Sequence, residues 1–102
     1  MQLKFRKRPV VIEAFQMTPE RREDNRDWPE WLNQAWQMNP SEVGSVYPLK
    51  LDDGLDESRS LMVRTLEGPL AIGWGDWIIR GVKNELYPCK PDVFTATYEA
   101  VE

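Results

Sequence analysis

GDWIIRGVKNELYPCKPDVF, residues 75–94, decides the fold. Its twenty positions hold two Gly, two Pro, a Trp, a Tyr, a Phe and the only Cys of the chain. Trp77-Ile78-Ile79-Arg80-Gly81 reads as a strand, because bulky and β-branched side chains suit a pleated, half-buried surface. Residues 82–88 form a further extended piece, a hairpin arm about Lys83-Asn84. Lys90 to Phe94 fits one helical turn, with Pro91 in the first position, where a missing N–H costs nothing. Residues 95–101 then close the chain as a strand, Phe94, Ala96 and Tyr98 facing one way and Thr95, Thr97 and Glu99 the other. Gly75 and Gly81 give backbone freedom, and Pro88 and Pro91 fix the exit path. The stretch reads as a tightly specified structural element with a possible ligand face.

Upstream, residues 3–17 read as another strand, with Pro9 marking its start, an edge or a bulge. Val11, Glu13 and Phe15 share one face, so Glu13 is expected at an edge or strand end, where its carboxylate reaches water. Thr18 followed by Pro19 fits the start of a short helix without an apolar stripe. In residues 27–38, Asp27 and Glu30 have capping-box spacing. Trp28, Trp31, Leu32, Ala35 and Trp36 follow at i, i+3, i+4, i+7 and i+8, one stripe of a core-facing helix that Asn39-Pro40 ends.

In the middle, residues 45–51 suggest a short edge strand, 52–59 a turn and 60–66 a strand. Glu67-Gly68-Pro69 reads as a turn, 70–73 as a returning strand and Gly73-Trp74-Gly75-Asp76 as a second turn. The result is a single α+β domain over 1–102: an antiparallel or mixed sheet of about five strands, with one Trp-rich amphipathic helix packed on one face.

The net charge of −4 argues against general nucleic-acid binding, which calls for a basic excess. The charge is uneven: Lys4, Arg6, Lys7 and Arg8 come before any acid, and Asp52, Asp53, Asp56 and Glu57 cluster mid-chain. Both runs read as solvated surface. One cysteine forms no internal disulfide, and no leader or membrane-length apolar run is visible, so a reducing cytoplasm is the expectation.

The chain has no histidine, which removes imidazole-dependent triads and His-ligated metal sites. The Asp52-Asp53-Gly54 turn lacks the ligand spacing of an EF-hand. No phosphate-binding glycine motif is present. No catalytic residue, metal or cofactor is expected. Cys89 would be reactive only if Lys90 or a following helix N-terminus lowered its pKa; a small buried thiol is the favoured reading. The ligand- or partner-binding candidates are Trp74, Trp77, Arg80, Lys83, Tyr87 and Lys90, aromatics interleaved with cations that can stack on a ring and hold a phosphate.

Two blocks carry a resemblance. LKFRKRPVVIEAFQM at the start and GDWIIRGVKNELYPCKPDVFTATYEAV at the end resemble a family of small phage and prophage proteins of uncharacterised function, with a KFRKxPVxIEAF opening and a GDWIIxGVxxExYPCKPDxFxATYE close. Here the matching residues are Lys4 to Phe15 and Gly75 to Glu99. The resemblance implies a phage-encoded accessory protein in the host bacterial cytoplasm, and it brings no catalytic residues with it. The leading expectation is a non-enzymatic module that binds a host or phage protein, or itself, through an aromatic-rich surface. The alternative is a small-ligand or nucleotide binder; a carboxylate-dependent enzyme ranks third.

Overall fold

A computed structural model describes residues 3–5, 9–25, 27–48, 50–51, 54–55 and 61–101. The order is β1 (Glu13–Gln16), α1 (Pro19–Asp24), α2 (Glu30–Gln37), β2 (Val46–Tyr47), β3 (Lys50–Leu51), β4 (Gly54–Leu55), β5 (Leu61–Thr65), β6 (Gly68–Ile72), β7 (Trp77–Arg80), β8 (Leu86–Cys89) and α3 (Pro91–Thr97). The α+β class holds. The strands form two antiparallel three-stranded sheets, β1-β7-β8 and β2-β5-β6, with β3-β4 as a separate ribbon, instead of one sheet of about five strands. The acidic segment around Asp52, Asp53, Asp56 and Glu57 lies outside the described residues.

The partition follows from what captures β7. It does not continue the meander beside β6. Its entry is bound to the end of β1, where Met17 N–H donates to Asp76 O (2.9 Å) and Gly75 N–H to Met17 O (2.7 Å). Pairing then runs from Gln16↔Trp77 to Glu13↔Arg80. Beyond Arg80 the chain turns, so among the described residues no strand lies beside 9–12, and the strand read over 3–17 is only four residues long.

The main core lies between the two sheets and α2. Met17, Trp28, Leu32, Ala35, Val46, Leu61, Val63, Ile72, Ile78 and Leu86 are its buried members, with Phe15, Trp31 and Trp36 packed at its margin. Trp28 and Trp36 meet edge to face at 5.8 Å. The apolar stripe of α2 thus does face the core. Asp27 does not cap it. The residue preceding a proline is driven out of helical geometry, so the helix starts only after Pro29, whose carbonyl accepts from Leu32 and Asn33. Asp27 sits at φ 67°.

Helix α1 starts as read, with Thr18 Oγ1 accepting from Arg21 N–H (3.2 Å). It buries no residue but is tied down. Arg21 donates to Gln16 O (2.7 Å), Trp28 Nε1 donates to Arg21 O (2.8 Å), and the Arg21 and Arg22 guanidinia lie over Phe15 and Trp36.

The C-terminal segment read as a strand is the helix α3 as far as Thr97. Residues 94 and 98 share a face at period 2 and also at i, i+4, so the apolar pattern was ambiguous. Packing decides: Phe94 stacks on Trp77 with centroids 4.1 Å apart, and Tyr98 packs against Phe94 at 5.1 Å. The first sheet is therefore covered on both faces. Ile78 and Leu86 point into the main core, while Ile79, equally buried, lies on the opposite face with Trp77 and Tyr87, the face on which Phe94 of α3 stacks.

Replacing Leu32, fully buried in α2, with Ala is expected to lower unfolding free energy by about 2–5 kcal/mol. The change Leu66→Ala, at an exposed turn, should cost no more than about 0.5 kcal/mol. Urea denaturation followed by Trp fluorescence compares the two.

Candidate functional site

The turn that launches β7 is built around one carboxylate. Asp76 is buried, and its Oδ2 accepts from Gly73 N–H (2.8 Å) and from Lys90 Nζ (3.1 Å). Gly75 has φ +89°, a left-handed conformation that glycine adopts without strain. Gln16 Nε2 also donates to Gly75 O (3.0 Å). The Lys90 side chain is largely exposed, so its pairing with Asp76 is solvent-screened. Its positive charge is committed to Asp76 and does not activate Cys89.

Cys89, expected as a buried thiol, is only partly buried, and it is held above its ordinary pKa, first by burial and then by the negative charges of Asp76 and Asp92. Its Sγ–H points to Lys90 O at 3.7 Å. The helix that follows does not reverse the direction. Tyr87 is also pushed well above the usual tyrosine range, chiefly by burial and next by the Tyr98 hydroxyl. Both groups are protonated at neutral pH.

The six candidate binding residues do not converge. Trp77 is stacked beneath Phe94, and Tyr87 lies on the same face two residues along the hairpin. Arg80 is on the opposite face and pairs with Glu13 (3.0 Å), which is exposed at the strand end as read. Trp74 lies in the 73–76 turn, 38% exposed. Lys90 is at that end too, whereas Lys83 is at the hairpin tip, about 13 Å away along β8 at 3.3 Å per residue. Lys83 and Tyr87 line one cavity together.

That cavity is a groove of about 670 Å³ between two hairpin tips. The β5–β6 tip contributes Leu66, Glu67 and Leu70, and the β7–β8 tip Lys83, Glu85 and Leu86, with Val43 alongside. Each tip is locally specified. At the first, Thr65 Oγ1 accepts from Glu67 N–H (3.1 Å) and donates to Gly68 O (2.8 Å). The two-residue loop leaves Leu66 90% exposed. At the second, Gly81 N–H donates to Glu85 O (2.8 Å), Lys83 N–H to the Glu85 carboxylate (2.8 Å), and Asn84 takes φ 65°. This is the three-residue hairpin loop ending in a left-handed residue.

Val43, Leu66 and Leu70 are all exposed at this groove and did not figure among the sequence candidates. The available signal was an apolar residue inside a turn, Leu66 in Thr-Leu-Glu-Gly and Val43 in Glu-Val-Gly, where solubility alone favours polar residues. Among the described residues, no group of three or more His, Cys, Asp or Glu side chains is placed to hold a metal, and no helix is long and apolar enough to cross a membrane. No protein-family model, curated protein or solved structure matches this chain.

Two tests address the Asp76 turn and its thiol. Asp76→Ala strands the Gly73 N–H and should cost about 1–3 kcal/mol, with Asp76→Asn costing less because an acceptor remains. Thiol-reagent kinetics against pH should give Cys89 a midpoint above that of the urea-unfolded chain, and Asp92→Asn should move it down. The folded chain holds the thiol and Tyr87 protons more tightly than the unfolded chain. Their contribution is therefore complete at neutral pH and is lost as pH rises past the unfolded thiol's pKa and then past about 10, the ordinary tyrosine value.

Proposed function

We propose that this chain is a non-enzymatic interaction module that binds an extended polypeptide in the groove between its hairpin tips. One observation carries the reading: Val43, Leu66 and Leu70 hold apolar side chains in water around a concave surface, and exposed apolar patches rimmed by polar groups mark interaction sites. Glu67 and Glu85 at the rim favour a peptide that alternates apolar and basic side chains. The resemblance of the two end blocks supports a phage-encoded accessory protein working in the bacterial cytoplasm, with a host or phage protein, or a second copy, as partner.

The nucleotide-binding alternative has less support. Phosphate recognition asks for converging cations. Arg80 and Lys90 are at opposite ends of β7–β8 and are paired with Glu13 and Asp76, and the groove offers two carboxylates beside Lys83. An enzymatic reading based on carboxylates has Glu67 and Glu85 in one groove, but Glu85 is engaged by the Lys83 N–H and both are exposed.

A displayed library of short peptides, selected against the chain, should enrich alternating apolar and basic sequences. Leu66→Asp should weaken their binding at least about tenfold, or about 1.4 kcal/mol. Failure to enrich any peptide, or binders indifferent to Leu66→Asp, overturns the reading.

A further inference from the structure

The N-terminal arm has the chemistry that the groove asks for. Leu3, Phe5, Val10 and Val11 are exposed; Phe5 is 90% and Val11 76% accessible. Leu3 and Phe5 are two residues apart and share one face of an extended segment, with Lys4 on the other; Arg6, Lys7 and Arg8 lie outside the described residues. Charge is segregated in the same sense. Four cations and no acid precede Glu13, while the whole chain is −4, so the remainder carries −8.

Leu3, Phe5, Val10 and Val11 are left in water, and the groove's lining includes no described residue of the arm. Position matters as much as composition. Glu13 pairs with Arg80, and the β7–β8 tip begins at Gly81, so the arm departs from the end of the molecule that carries the groove. An arm and a groove at opposite ends would join copies into an open chain. At the same end, a two-fold axis closes both contacts at once. Ten residues in extended form reach about 33 Å, enough to cross such an axis.

We propose that two copies of this chain associate by exchanging N-terminal arms, each seating Leu3 and Phe5 in the apolar groove of the other while the arm's cations meet Glu67 and Glu85. This inference rests on the reading of the groove as a peptide-binding surface and names a second copy as its occupant. The occupied groove would then be closed to other peptides until the arm leaves.

Sedimentation equilibrium of the full chain, up to about 100 μM, tests it. A dimer is expected, with association weakened at least about tenfold between about 0.05 and 0.5 M salt, where screening of exposed charges is strong. Phe5→Asp and Leu66→Asp should each be monomeric, with circular dichroism unchanged because both positions are exposed. Mixing them is the decisive step. The Leu66→Asp variant keeps a good arm and the Phe5→Asp variant a good groove, so the mixture should form a heterodimer with one contact, weaker than wild type. A monomeric wild type overturns the proposal, and so does a dimer that either variant leaves intact or that mixing fails to restore. A monomer that still binds the selected peptides overturns the exchange alone; loss of peptide binding overturns the groove reading with it.

Discussion

The buried carboxylate of Asp76 is the constraint on which the arrangement depends. Its side chain closes the 73–76 turn onto Gly73 and receives Lys90, and its backbone carbonyl receives Met17. Four pieces of chain meet there: the end of β1, the exit of β6, the entry of β7 and the junction of β8 with α3. A buried carboxylate without such partners would be strongly unfavourable, so forming the turn and docking these segments are one event. Once β7 is held against β1, it is not available to extend β6, and two sheets result. The groove is a consequence, because two short sheets leave their hairpin tips facing a common gap.

The aromatic residues serve two separate layers. Trp28, Trp31 and Trp36 place α2 on the main core, while Trp77, Phe94, Tyr87 and Tyr98 bind α3 to the far face of the first sheet. A chain this small buries a modest fraction of its surface. Covering a sheet on both faces with a few large rings is an effective use of limited length, since each ring removes much apolar area from water. It also accounts for Trp77 and Tyr87, two of the six residues that looked like a recognition surface, lying within this layer. Tyr87 and Cys89 lie under this layer and at its edge, and both hold their protons more tightly for that reason.

Charge has the opposite distribution to that of a domain designed only to stay dissolved. Basic residues are concentrated before Glu13 and the acidic excess lies after it. Among the described residues, Leu3, Phe5, Val10 and Val11 are exposed on the arm and Val43, Leu66 and Leu70 at the groove, while Trp74, Val82, Val93 and Val101 are exposed elsewhere. Apolar contact supplies strength without direction, and the segregated charges supply orientation and discrimination.

By itself the sequence determined the features encoded within a few neighbouring residues. Thr18-Pro19 started α1, the spacing of Trp28, Leu32, Ala35 and Trp36 oriented α2, Gly73 to Asp76 formed a turn, and the absence of histidine removed imidazole chemistry. Each follows from backbone sterics, side-chain period or elemental inventory. Where two local rules competed, reading became harder: Pro29 overrode the cap signal of Asp27, and residues 94 to 98 satisfied the helical and the strand period alike. Tertiary structure decided what remained. The choice of β1 as partner for β7 is made by contacts such as Gln16 to Gly75, 59 residues apart, and no local pattern encodes which distant strand will satisfy a backbone. The same holds for the groove. Leu66 and Val43 are unremarkable singly, and only the meeting of two tips from different sheets makes them one apolar surface.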